Sequence, residues 1–99
     1  MYGINEQVYI KLQEYFEYTS GIEQVILYGS RAKGTHFYSS DIDICVTYTG
    51  KNKFDVINTL EDIVGVYSID IVFADKLNQN LKQQIDKYGI TIYKNITLS

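Results

Sequence analysis

Asp41 and Asp43 stand one residue apart, and a glycine–serine pair, Gly29-Ser30, precedes the first of them by twelve positions. In a strand, residues i and i+2 share a face with Cα atoms roughly 6.5 Å apart. The two aspartates then project together while Ile42 and Ile44 turn to the core. Carboxylates that close repel one another. A divalent cation relieves this, and Mg²⁺ takes one or two carboxylates and completes its shell with waters and phosphate oxygens. A third acid, Asp70, lies inside the apolar run Ile69-Asp70-Ile71-Val72-Phe73. An unpaired carboxylate in such a strand costs several kcal/mol, so it needs a partner or a task. If its strand neighbours that of Asp43, three carboxylates converge, which suits one or two metal ions and in-line attack on phosphorus. Gly29 lets backbone approach a phosphate closely, and the amides that follow, with the Ser30 hydroxyl, can hold phosphate oxygens. Arg31 and Lys33, the basic residues of that loop, are candidates for a triphosphate tail.

The elements that must position these residues are read from periodicity. Ile4 to Tyr18 has helical spacing, with Ile4, Val8, Leu12, Tyr15 and Phe16 on one face. Val25 to Tyr28 reads as a buried strand. Ser30 is placed to cap a short helix through Lys33, closed by Gly34. Asp41 to Tyr48 and Val66 to Phe73 read as strands, Lys53 to Val64 and Leu77 to Tyr88 as helices, and Ile90 to Tyr93 as a short last strand. This order predicts an α/β or α+β domain over 1–99, with one small sheet covered by helices. The pattern alone leaves open whether the sheet is parallel or mixed.

Composition narrows the function classes. Twelve acids oppose nine bases, a formal net charge of −3 with no Lys/Arg run. Gripping a long nucleic acid relies on Lys and Arg neutralising phosphates, so that class is excluded while a small phosphorylated ligand is not. Cys45 is the one cysteine, which excludes an internal disulfide. Nothing resembles a signal peptide, and no apolar run nears the ~20 residues that span a bilayer. A cytoplasmic protein without membrane contact is expected. Three further residues take plain readings: His36 as a solvated loop histidine, Cys45 as a small buried residue near the site floor, and Tyr28 as packing.

The segments Gly29-Ser30-Arg31-Ala32-Lys33-Gly34 and Ser40-Asp41-Ile42-Asp43-Ile44 together resemble the signature of the nucleotidyltransferase superfamily that includes DNA polymerase beta and kanamycin nucleotidyltransferase. More narrowly they resemble the minimal nucleotidyltransferases of prokaryotes. Tyr67 to Phe73 is similar to that family's strand with the third acid, and Leu81 to Tyr93 to its closing helix and strand. The resemblance implies a palm-like core on a small mixed sheet of about four strands. It implies that Asp41 and Asp43 hold Mg²⁺ on the nucleotide phosphates. Asp70 would complete a second metal site and orient or deprotonate the attacking hydroxyl, and Gly29 and Ser30 would bind the phosphates. The implied reaction moves a nucleoside monophosphate, AMP from ATP, onto a hydroxyl. The implied partner is an all-helical HEPN-type protein in a hetero-oligomer, with a Tyr of that partner as acceptor in a toxin–antitoxin pair. Two other readings stay open: a binding antitoxin or scaffold that acts by contact alone, and a catalytic subunit whose small-molecule acceptor is held by a helical substrate-binding subunit. Three clustered acids argue for the enzyme, since a pure binder has no physical need of them.

Overall fold

Three asparagines set where helices begin. The Asn5 side chain accepts from the amides of Gln7 and Val8 at 2.8 and 3.3 Å, Asn52 from Asp55 at 3.1 Å, and Asn78 from Leu81 at 2.8 Å. Each satisfies helix-start amides that otherwise lack partners. In the computed structural model, which describes residues 1–96, the elements run α1 (Glu6–Tyr18), β1 (Ile22–Tyr28), α2 (Gly29–Lys33), β2 (Ile42–Tyr48), α3 (Lys53–Val64), β3 (Ile69–Phe73), a single 3-10 turn (Ala74–Lys76), α4 (Gln79–Tyr88) and β4 (Ile90–Lys94). The Asn caps explain why α1 and α4 start two residues later than periodicity predicts. β1 begins three residues earlier than expected, because Ile22 is buried with Val25 and Leu27. β3 begins three residues later than expected.

The sheet order is β3-β2-β1-β4. β1 runs antiparallel to β2 and β4, and β2 runs parallel to β3 across the α3 connection. The sheet is therefore mixed, as the resemblance implies.

Strand alternation divides the sheet into two faces. Val25 and Leu27 of β1, and Ile42, Ile44 and Val46 of β2, pack with Leu12 and Phe16 of α1 and Val56, Leu60 and Val64 of α3. The other face carries Tyr28 and Cys45, packed with Ile85 of α4. Asp43 and Asp70 share the parity of this second face. Burying Ile42 and Ile44 on one side obliges Asp43 to project from the other.

Candidate active site

Tyr28, Asp43 and Asp70 form a row across three strands. Tyr28 is the register partner of Asp43 in the β1–β2 pair, and Asp43 is the partner of Asp70 in the β2–β3 pair. All three stand at one end of the sheet, where β1 stops and β2 and β3 start. Asp43 is half-buried, whereas Asp41 and Asp70 are exposed. The Asp43 carboxyl is pushed up to about 6, first by burial, then by the charges of Asp70 and Asp41, with Arg31 opposing. The buried Tyr28 phenol is pushed up to about 12, first by burial, then by Asp70 and Asp43. Tyr28 thus packs, as expected, but it also forms one end of the acidic row. Its place there depends on strand pairing, which periodicity does not give.

Asp41 lies just before β2 rather than within it. It reaches the group from the end of the preceding loop, and its charge still bears on Asp43. Gly29 follows Tyr28 with φ +75, and a Cβ there would run into the Asp43 carboxylate. The missing side chain therefore keeps the space beside Asp43 open. Among the described residues, no three His, Cys, Asp or Glu side chains are gathered tightly enough to hold a cation unaided. An open set of hard oxygen donors, with Asp43 short of compensating positive charge, fits Mg²⁺, which keeps several waters and draws other ligands from substrate phosphates.

The basic and hydroxyl residues of the loop differ in placement. Ser30 is not a cap: α2 starts at Gly29 after Tyr28, with no side-chain cap bond, while Gly34 closes it at φ 77 as expected. Ser30 is half-buried next to Gly29. Arg31 departs from its expected place at a triphosphate. It is only 2% exposed, and its guanidinium donates to the carbonyls of Tyr2 at 3.1 Å, Tyr38 at 3.3 Å and Ser40 at 2.8 Å. It lies 5.4 Å from the Tyr67 ring centroid. With both terminal nitrogens engaged and its buried Nε left unpartnered, this guanidinium ties the N-terminus to the loop before Asp41. Lys33 is exposed, with Nζ 4.7 Å from the Tyr88 ring centroid. His36 is not a solvated loop residue but half-buried. Gly3 packs so closely on it that a Cβ there would strike the ring. Cys45 is buried, as expected, and burial pushes its thiol up. A cleft of about 290 Å³ lies between the segments leading into β2 and β3, lined by Tyr38, Ser39, Ser40, Val66, Tyr67 and Ser68. Its lining comes from two loops far apart in sequence, so spacing gives no sign of it.

Residues 10–97 match the family described as polymerase beta, nucleotidyltransferase. The chain belongs to this family and is a nucleotidyltransferase. Solved structures of similar fold include toxin–antitoxin complexes. A toxin–antitoxin crystal structure with AMP-PNP is similar at 25% identity and a TM-score of 0.70, over 93% of this chain and 75% of that one. The toxin–antitoxin MntA-HepT is similar at 18% identity and a TM-score of 0.65, over 92% and 74%. A complex of the tri-AMPylated Shewanella oneidensis HEPN toxin with its MNT antitoxin is similar at 22% identity and a TM-score of 0.62, over 96% and 74%. No curated protein matches the chain. Among the described residues no helix is long and apolar enough to cross a membrane.

Proposed function

We propose that this chain is the antitoxin of a toxin–antitoxin pair, and that it transfers AMP from ATP to a tyrosine hydroxyl of a HEPN-type helical partner in the cytoplasm. The observation that carries the reading is the register pairing of Asp43 with Asp70 beside Gly29. It gathers carboxylates where an open backbone leaves room for phosphates. The similarity to a toxin–antitoxin structure bound to AMP-PNP supports the nucleotide and the partner class. The acceptor follows from the resemblance to minimal nucleotidyltransferases.

Asp41 and Asp43, with Asp70 for a second ion, would hold Mg²⁺, which would neutralise charge on the phosphates as pyrophosphate departs. Gly29 and Ser30 lie where the β- and γ-phosphates would rest, and Lys33 at the exposed end of α2 is available to the triphosphate. The acceptor oxygen bonds to the α-phosphorus, and the bond from that phosphorus to the bridging oxygen breaks. Pyrophosphate leaves with the electron pair, and the acceptor proton passes to Asp70 and then to solvent. The row Tyr28–Asp43–Asp70 fixes the direction of two of the carboxylates by strand pairing, and Asp41 joins them from the loop before β2. The test is mass spectrometry of the partner after incubation with this chain, ATP and Mg²⁺. Addition of one or more AMP units to a tyrosine is expected, and Asp43→Asn abolishes it. Full activity of that variant would remove the metal assignment.

A further inference from the structure

The cleft between the approaches to β2 and β3 is built on a buried charge that the transfer step does not use. Arg31 donates to the carbonyls of Tyr38 and Ser40 on one wall and lies against the ring of Tyr67 on the other. Tyr67 is held from a second side, where its hydroxyl accepts the Asn5 amide at 2.9 Å. The Ile42 amide donates to the Ser68 carbonyl at 2.9 Å and closes the walls together at the base. Both walls run directly into the acids, Ser40 into Asp41 and Ser68 into Asp70 two residues on. The rim is exposed and apolar: Tyr38 and Val66 are 80 and 90% accessible.

We infer that this cleft receives the acceptor, an aromatic hydroxyl side chain presented by a partner protein, on the side of the carboxylates opposite the nucleotide. The inference rests on the function proposed above. In-line displacement puts the attacking oxygen and the leaving pyrophosphate on opposite sides of the α-phosphorus. Gly29 lies on the β1 side of Asp43 and the cleft on the β3 side, so phosphates beside Gly29 leave the cleft for the nucleophile. The 290 Å³ volume falls just below the roughly 300–1,000 Å³ of pockets that enclose drug-sized ligands. It leaves room for an aromatic side chain. The Tyr38 and Tyr67 rings offer flat apolar contact, and Ser39, Ser40 and Ser68 add polar lining. A protein acceptor explains the apolar rim, because large exposed side chains around a site contribute by burial against a partner chain.

The test uses Val66→Lys and Tyr38→Ala, both at exposed positions, in AMP transfer to the purified HEPN-type partner. Initial rates are measured with partner and ATP varied in turn, alongside thermal melts. The expected result is a KM for the partner raised about tenfold or more, the scale of losing one anchoring side chain. KM for ATP and the melting midpoint stay unchanged. A raised KM for ATP with an unchanged KM for the partner would assign the cleft to the nucleotide and overturn the inference. Wild-type kinetics in both variants would also overturn it. A wild-type chain that transfers nothing to the partner would instead defeat the underlying reading, and the acceptor cleft with it.

Discussion

Asp43 and Asp70 are direct register partners in the parallel β2–β3 pair, so the two acids are brought together by backbone hydrogen bonding and not by a flexible loop. Side chains opposite one another in a sheet interact, and like charges there are destabilising. The fold therefore holds an electrostatic conflict at the site. Arg31, whose charge opposes it, is already engaged by three carbonyls. The same proximity that costs stability is what lets carboxylates share a cation.

That conflict has a measurable pH signature. Asp43 is raised from 3.8 to about 6, so the folded chain disfavours the ionised form. Below the unfolded value the group is protonated in both states and contributes nothing. As pH rises from about 4 to about 6 the unfolded chain ionises first, and stability falls. Above about 6 the penalty is complete. Asp43→Asn removes it and should stabilise the metal-free protein at pH 8, by about 1–2 kcal/mol once solvent screening of a half-exposed group is allowed for. The gain should shrink to nothing below about pH 3. Urea unfolding at both pH values checks this. A gain independent of pH would mean that the carboxyl is not the cause.

Cations should act on the same term from outside. Mg²⁺ together with AMP-PNP should bind the folded chain and raise the melting midpoint, with about 2.7 kcal/mol of added stability at a hundredfold excess over Kd. The Asp41→Asn, Asp43→Asn double variant should lose this response while remaining folded. Calorimetry with and without Mg²⁺ decides it. An equal shift in the double variant would place the ion elsewhere.

Gly29 and Gly34 allow backbone strain to be separated from site geometry. Both have positive φ, +75 and +77, but a Cβ on Gly29 strikes the Asp43 carboxylate whereas one on Gly34 meets nothing within 4 Å. Gly→Ala at either position should cost about 1–2 kcal/mol for the left-handed conformation. Only Gly29→Ala should also cut AMP transfer, by at least about tenfold, as the carboxylate is displaced. Equal activity losses in the two variants would show that strain alone is responsible.

Much of the sheet was legible because its cause is local. Ile42 and Ile44 alternate with Asp43, and an acid inside Ile69 to Phe73 demands a special environment, so the acids and their strands could be read from residue types. Lys53–Val64 matches its helix to the residue, since its apolar spacing and Gly65 act within the segment. The helix starts at Glu6 and Gln79 were misplaced because periodicity ignores the Asn caps. The position of Asp41 outside β2 was hidden because alternation continues across the strand's end. The burial of Arg31 is hidden in the sequence because its three acceptors lie on segments that meet it only in the folded chain. The Tyr38–Tyr67 cleft was hidden for the same reason.

Arg31 offers the sharpest check on how the loop before Asp41 is held. Its guanidinium joins Tyr2, Tyr38 and Ser40 and buries a charge without a carboxylate partner. Arg31→Met leaves three carbonyls to find other donors, and losing a buried partner typically costs about 1–3 kcal/mol. Because these carbonyls lie close to the surface, water should restore some bonds, and a total of about 2–4 kcal/mol is expected. Arg31→Lys keeps the charge but offers one nitrogen in place of the planar fork, so it should recover only part of this. Hydrogen exchange should show faster amides from Tyr38 to Asp41 in both variants, while the α3 amides of the stable core keep their protection. A variant within 0.5 kcal/mol of wild type, a change no larger than an ordinary surface substitution gives (about ±0.5 kcal/mol), with unaltered exchange in that loop, would mean that Arg31 does not hold it.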